Sequence, residues 1–181
     1  MTAGTLSGLD DAGLSGGDRF LDAESFKTVF RRHPAGVVVI TLRDRDGLVG
    51  LTATSVISVS AEPPVLAFSI AASSSSWPAL SRATTVAASF LADDQDDVSA
   101  RFSTSGIDRF AAGGWSLLPT GEPVIDGALS WVWGSVVSRT AVGRSFLVAV
   151  LALESANARS EANPLVYHDR TYHRIGDHTA I

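Results

Sequence analysis

The sequence predicts a mainly β domain, in which an antiparallel barrel carries a few short helices. Short apolar, β-branched segments alternate along the chain with clusters of Gly, Pro, Asp and Ser, a pattern typical of strands joined by turns. No repeat of about 20–50 residues is present. With 45% apolar residues in 181, one domain can bury a sizeable core. Short strands broken by turns at this density favour a closed barrel.

Two or three short helices are expected beside the strands. Asp22 is a suitable N-cap for the first, which is predicted over residues 22–32. Phe26, Val29 and Phe30 fall at i, i+3 and i+4 and form its apolar face. The other helices are predicted at residues 77–80, with Ser76 as N-cap, and after the acidic run 93–97, ending near Phe102.

Seven or eight strands are expected from the nine apolar segments that remain. Asp44-Arg45-Asp46-Gly47 and Asp169-Arg170 are turn signals that pair strands into hairpins. Trp131 and Trp133 lie two residues apart and therefore share one strand face. The strands are predicted over residues 37–42, 48–54, 65–70, 84–91, 115–118, 128–139, 145–153, 165–167 and 171–173.

Composition excludes several kinds of partner. The net charge of −5 without a basic cluster argues against nucleic acid, and the apolar runs are too short for a membrane span. The absence of Cys excludes disulfides and thiolate metal sites, and the four His have no metal-ligand spacing, so we expect no metal site. Residues 1–19 are expected to form a mobile arm, 20–175 the domain and 176–181 a tail. Without a signal peptide, a cytoplasmic location is expected.

Two hydroxyl-rich loops are candidate ligand sites. Residues 50–60 begin as a strand and continue through Thr and Ser, whose small donors can hold a phosphate or a ring carbonyl. Residues 73–76 are four serines before a helix, a natural anion site. A plain Ser/Thr-rich turn and an ordinary capped loop are the alternatives.

Two Arg–Phe pairs, Arg101-Phe102 and Arg109-Phe110, offer a guanidinium for phosphate and a ring for base stacking. The alternative for the first pair is that Phe102 lies in the core and Arg101 in solvent. Neither a P-loop nor a Gly-x-Gly-x-x-Gly motif is present, so a bound dinucleotide would not occupy a Rossmann domain.

Taken in order, six stretches of this sequence resemble the short-chain flavin reductase family, the reductase components of two-component flavin-dependent monooxygenases. The stretches are residues 30–37, 50–55, 58–64, 73–80, 101–102 and 108–110. The resemblance covers about residues 20–175. It implies a split β-barrel, a Greek-key-like antiparallel flavin-binding fold, in a homodimer with the cofactor near the subunit interface.

The resemblance also implies roles for individual residues. By the resemblance, the residues that contact the flavin ring are Val49, Gly50, Thr52, Ala53, Thr54 and Ser55. Ser69 and Ala71 would lie beneath the ring. Ser75 and Ser76 match the phosphate position, and Arg101 and Phe102 the pyrophosphate or adenine side. Tyr167, His168, Asp169 and Arg170 match the hairpin near the nicotinamide dinucleotide.

This chain departs from the family pattern in three places. The family often has Asn where this chain has Thr54, and Arg where it has Ser75, so flavin is expected to be held loosely. Gly143-Arg144-Ser145 replaces a Gly-Asp-His whose His is linked to nicotinamide binding. A literal Gly176-Asp177-His178 follows the last predicted strand and is interpreted as coincidence.

The resemblance predicts an NAD(P)H-dependent flavin reductase that supplies reduced FAD or FMN to a partner monooxygenase. NADH is favoured over NADPH because the sequence has no clustered Arg pair for a 2′-phosphate. The alternative is a flavin-binding protein of the same fold that has lost NAD(P)H oxidation. No catalytic acid or base is expected, because the cofactors carry the chemistry.

Overall fold

One antiparallel sheet of seven strands dominates the computed structural model, which describes residues 20–159, 161–176 and 179–181. The described strands are β1 Ala35–Gly36, β2 Val38–Asp44, β3 Gly47–Ala53, β4 Ile57–Ala61, β5 Pro64–Ala71, β6 Thr85–Phe90, β7 Trp115–Leu117, β8 Pro123–Ile125, β9 Ser130–Val142, β10 Ser145–Asn157, β11 Leu165–His168 and β12 Thr171–Arg174. The described helices are α1 Ala23–Arg31, α2 Trp77–Leu80 and α3 Asp96–Ser103.

The strand order of the large sheet is β3-β2-β6-β9-β10-β5-β4. Its end strands, β3 and β4, are not hydrogen-bonded to each other within the described residues. The predicted mainly β fold with few helices is therefore confirmed, but the expectation that the barrel closes is not. Residues 54–56, which begin with a bend at Thr54, connect β3 at one end of the sheet to β4 at the other.

Two of the predicted hairpins form as expected. Asp44 pairs with Gly47 across a two-residue turn, and His168 pairs with Thr171 across Asp169-Arg170. Three strands were not predicted. β4 carries Ser58 and Ser60 and resembles a polar loop, β1 has only two residues, and β8 begins at a proline within a turn-rich segment. All three pair on one side only, where polar residues and Pro are tolerated.

Every second side chain along the central strands points into the main core. Leu66, Phe68, Val148 and Val150 point inward from β5 and β10 and are buried. A second cluster lies under α3, where the fully buried Phe102 packs with Val37 and Leu165. This second cluster places α3 against β3, beside the hydroxyl-rich stretch.

Helix α1 begins where the sequence predicts. The Asp22 carboxylate accepts hydrogen bonds from the Glu24 and Ser25 amides, both at 3.0 Å. Its apolar face, however, is not buried within the described part of the chain: Phe26 is 53% exposed and Phe30 is 55% exposed. The apolar face of an amphipathic helix is usually buried, so the exposure of this face is unusual for a helix of this kind. No helix among the described residues has the length and apolarity to cross a bilayer.

Candidate functional site

One cavity lies beside residues 48–50 of β3, and a second lies beside residues 54–57, which follow that strand. The larger one, of about 800 Å³, lies under α1 and is called the α1 cavity. The smaller one, of about 300 Å³, is called the Arg109 cavity. Val49 and Gly50 line the Arg109 cavity, and Thr54 and Ser55 line the α1 cavity. The predicted flavin-ring stretch, residues 49–55, therefore runs from one cavity to the other.

The α1 cavity is lined by residues that are distant in sequence. Its wall contains three predicted flavin-ring residues and the whole predicted dinucleotide segment, together with the apolar face of α1. These residues are Thr54, Ser55, Ser69, Tyr167, His168, Asp169 and Arg170, with Phe26, Lys27, Phe30 and Arg31 from the helix. The cavity volume lies within the range of ordinary small-molecule sites.

A hydroxyl group fixes the floor of this cavity. Ser55 Oγ accepts a hydrogen bond from the Ser69 amide at 2.9 Å and donates one to the Ser69 carbonyl at 3.2 Å. This pair of bonds joins the loop after β3 to β5, where the sheet ladder itself is missing. The Ser55 hydroxyl is thereby a support for the loop, while the Thr54 side chain is exposed in the cavity wall.

The β11–β12 hairpin forms another part of the wall. Asp169 and Arg170 both have positive φ, 46° and 65°, as a tight hairpin turn requires. The Asp169 amide donates to the Arg31 carbonyl at 2.9 Å and so ties the turn to the end of α1. The His168 and His173 side chains, on the two strands of the hairpin, have ring centroids 5.6 Å apart.

Arg109 lines the smaller cavity and is held there by hydrogen bonds. Its Nε donates to the Thr104 carbonyl at 2.9 Å, and its Nη1 donates to the Gly50 carbonyl and to Ser76 Oγ, the latter at 3.1 Å. Among the described ion pairs none includes Arg109. Burial without a carboxylate partner lowers the pKa of the Arg109 guanidinium. Ser75 and Ser76 share this cavity wall.

Several predicted residues have other contacts. Thr52 Oγ1 donates to the Ser99 carbonyl of α3 at 2.7 Å, and the Ala53 side chain is in the main core. Only the backbone of Ala53 can reach a ligand. Ala71 is exposed at the end of β5. Ser76 precedes α2 as predicted, but its hydroxyl donates to the Gly50 carbonyl at 3.3 Å instead of capping the helix.

The expectation that Phe102 stacks on a base is wrong, because its ring is fully buried and packs edge-to-face on Phe110. Phe102 instead lies in the core, which was the alternative expectation for this residue. Arg101 lies with its guanidinium 5.4 Å from the centre of the Phe102 ring, and its Nε is buried without a partner among the described residues. Arg101 lines neither cavity. Its role in binding stays a prediction.

Sequence reasoning missed two contributions to the site. Arg109 was singled out in a motif but not assigned to the site, because nothing local indicates that it contacts Gly50, 59 positions away. The apolar face of α1 was predicted, and the usual expectation for such a face is burial in the core. Asp177 and His178, which complete the second Gly-Asp-His, lie outside the described residues.

Similarity to known proteins agrees with this arrangement. The family profile "Flavin reductase like domain" matches residues 30–176. An NADH:FMN oxidoreductase of Rhodococcus qingshengii is 42% identical over 156 residues, covering 84% of this chain and 81% of that protein. The reductase subunit HsaB of a flavin-dependent monooxygenase from Rhodococcus jostii is 31% identical over 152 residues, covering 84% and 77%. The crystal structure of a flavin reductase domain protein from Arthrobacter sp. FB24 superposes with a TM-score of 0.81 at 34% identity, covering 86% of this chain and 96% of that one.

The fold and the paired cavities define a flavin reductase-like split barrel. The chain belongs to the flavin reductase-like domain family.

The residues present fit a flavin. The Gly50 carbonyl points away from β2 towards Arg109, so the Gly50 amide of this edge strand also faces outward and can donate to a ligand. The α1 cavity offers apolar rings and neutral hydroxyls, which suit an uncharged ring system. The Arg109 cavity adds a cation for a phosphate.

Proposed function

We propose that this chain is an NAD(P)H-dependent flavin reductase that supplies reduced FMN or FAD to a partner monooxygenase. The α1 cavity carries the proposal, because it brings the predicted flavin side, at Thr54 and Ser69, and the predicted dinucleotide side, at Tyr167 and His168, into one space. A reductase needs both rings in one enclosure, since hydride transfer requires direct contact of donor and acceptor.

When both are bound, the dihydronicotinamide donates the hydride and the flavin accepts it. The protein's part is binding and orientation. Ser55 holds the loop that presents Thr54, and Phe26 and Phe30 of α1 give the cavity an apolar side. We assign the dinucleotide to the hairpin side of the cavity, where Lys27, Arg31 and Arg170 give the rim a positive charge that Asp169 and Glu24 partly neutralise.

The test is a steady-state assay of NADH oxidation with added FMN or FAD. We expect turnover that saturates in both NADH and flavin, with the reduced flavin released. The 42% identical relative, an NADH:FMN oxidoreductase, supports NADH and FMN as the first pair to test. Flavin binding without NADH or NADPH oxidation would overturn the proposal.

That negative outcome defines a second candidate function, a flavin-binding protein without reductase activity. The observation behind it is the β9–β10 turn, where Gly143-Arg144 and then Ser145 stand in place of the family's Gly-Asp-His. The Arg144 carbonyl accepts a hydrogen bond from the Ala72 amide at 3.0 Å, so the turn lies beside the loop that leads from β5 to the serines.

His168→Ala is expected to raise the KM for NADH about fivefold, the loss of one hydrogen bond, and to leave flavin affinity nearly unchanged. His168 lies on the β11–β12 hairpin, while the proposed flavin contacts come from β3 and β5. KM and flavin Kd are measured on the same preparation. An equal loss of flavin affinity would contradict the assignment.

Deleting residues 176–181 is the matched control and is expected to change neither constant. If this deletion abolishes NADH oxidation and His168→Ala does not, the second Gly-Asp-His is functional.

We propose a homodimer whose interface includes the outer face of β4, β5 and β10. Ile57 and Leu147 project from this face, opposite the core residues, and are 56% and 42% exposed. Trp131 and Trp133, predicted to contribute, are half-buried on β9. Exposed apolar side chains spread over neighbouring strands are typical of a protein interface.

Leu147→Asp is expected to shift sedimentation at micromolar concentration from dimer to monomer, because a charge would be buried at the interface. Leu117→Asp is the control, since Leu117 is 48% exposed on the separate β7–β8 sheet. A flavin-bound wild-type monomer would contradict the proposal.

A further inference from the structure

Four charged side chains from α1 and the β11–β12 hairpin meet at the rim of the α1 cavity. They are called the Glu24 cluster and consist of Glu24, Lys27, Arg31 and Arg170. The three cations line the cavity wall, and Glu24 does not. The hydrogen bond from the Asp169 amide to the Arg31 carbonyl holds the hairpin against the end of α1 and so brings Arg170 to the helix. Cations that are dispersed in the sequence are therefore clustered in the fold, so the absence of a local Arg pair is no reason to favour NADH.

The Glu24 carboxylate engages two of these cations. Lys27 Nζ donates a hydrogen bond to Glu24 Oε1 at 2.8 Å, and Arg31 Nη2 lies 4.0 Å from Glu24 Oε2. Arg170 is in no ion pair among the residues that the structure describes. The hydrogen bond from Lys27, together with the charges of Lys27, Arg31 and Arg170, lowers the pKa of Glu24. Glu24 is therefore ionised at neutral pH.

Helix geometry holds this arrangement in place without a ligand. Residues 24, 27 and 31 are spaced i, i+3 and i+7 and therefore lie along one side of α1. Glu24 is in the first turn, directly after the Asp22 cap, where the helix dipole favours a negative charge. The carboxylate is thus a structural part of the rim.

The two halves of a dinucleotide are expected to meet different parts of the α1 cavity. The nicotinamide has to contact the flavin ring, which the proposed function places at Thr54 and Ser69. The adenosine half then extends towards the exposed rim, where the cations suit its phosphates. NADPH differs from NADH only by a 2′-phosphate on this half. A dinucleotide bound in this way brings its 2′ position towards the Glu24 cluster.

We propose that Glu24 is a specificity-determining residue, which makes the protein prefer NADH to NADPH by engaging Lys27 and Arg31 and by repelling a 2′-phosphate. The inference rests on the proposed function and names the dinucleotide that the same site selects. A carboxylate near the adenosine ribose disfavours a 2′-phosphate, whereas free cations in that place favour one. Loss of the Glu24 charge would leave three cations at the rim and so reverse this balance.

The experiment measures Kd for NAD⁺ and for NADP⁺ on the FMN-saturated full chain and compares the ratio of NADP⁺ to NAD⁺ values among variants. Glu24→Gln is expected to lower this ratio about fivefold, the size of one charge-assisted contact at a partly exposed site. The ratio of KM values for NADPH and NADH should fall with it. Adding Lys27→Gln to Glu24→Gln should reverse most of the shift, because the released cation is lost. Added salt should reduce the shift, since these charges are exposed.

Two control variants separate this role from a general effect of charge. Asp46 also lies between two cations, 3.4 Å from Arg45 and 3.9 Å from Arg82, but it does not line the α1 cavity. Asp46→Asn should therefore leave the Kd ratio unchanged. Asp169 lines the cavity and is in no ion pair among the described residues, so Asp169→Asn removes a rim charge without releasing a cation. A smaller shift than that of Glu24→Gln is expected.

An unchanged ratio in Glu24→Gln, including equal weakening of both dinucleotides, would show that Glu24 only stabilises α1 and would overturn the inference. A larger shift in Asp169→Asn, or a wild-type preference for NADP⁺, would do the same. If the wild type binds NAD⁺ in preference to NADP⁺ and Glu24→Gln shifts the ratio, but neither NADH nor NADPH is oxidised, the reductase proposal is overturned and this inference stands. No binding of either dinucleotide would overturn both.

Discussion

Gly50→Ala is expected to lower the free energy of unfolding by about 2–3 kcal/mol and to weaken flavin binding as well. A Cβ at position 50 would lie 2.6 Å from Phe102 Cε1 and 3.1 Å from Phe110 Cζ. The Phe102 ring is fully buried and held edge-to-face by Phe110 at 5.1 Å between centroids, so it has little room to move. Either the ring or strand β3 must shift.

A shift of β3 also moves the Gly50 carbonyl, which anchors Arg109 and Ser76. One substitution in the core is therefore expected to disturb the phosphate side of the site. Chemical denaturation and FMN titration measure the two effects. Gly36→Ala is the stability control, because a Cβ there meets nothing within 4 Å. Unchanged stability of the Gly50 variant would show that α3 adjusts freely.

Gly134→Ala is expected to have a larger effect. It should lower the free energy of unfolding by about 3 kcal/mol or more and the melting temperature by roughly 6–12 °C. The added Cβ would lie 2.2 Å from the Leu151 carbonyl oxygen, a backbone atom in the middle of the sheet. The β9–β10 ladder changes register on both sides of this point, between Ala149 and Val150 and between Ala152 and Glu154. These irregularities bring the two backbones close, and only Gly fits there.

Thermal denaturation of the Gly134→Ala and Gly36→Ala variants at one protein concentration measures this difference, since the melting temperature of the proposed dimer would depend on concentration. We expect the Gly36 variant to melt with the wild type. If the Gly134→Ala variant also melts at the wild-type temperature, strands β9 and β10 can move apart to make room for the added Cβ.

The sequence by itself determined the strands that bury their side chains and the hairpins with Gly or Asp turns. The strands observed at Val38–Asp44, Pro64–Ala71 and Thr85–Phe90 were predicted over residues 37–42, 65–70 and 84–91, because β-branched and apolar runs between turn residues have few other stable arrangements. The Asp22 cap of α1 was equally local, since it depends on residues two and three positions away. The family resemblance rested on short stretches of this kind, and the profile match over residues 30–176 confirmed it.

The tertiary structure alone decided which residues meet. Whether Phe102 stacks on a ligand or fills the core depends on the packing of α3 against β3, and the arginine facing the serines depends on a contact across 59 positions. The position of α1 over the cavity depends on the Asp169–Arg31 bond between distant segments. Local patterns fix which face of an element is apolar, but the partner of that face is set by long-range packing, which no short window of sequence contains.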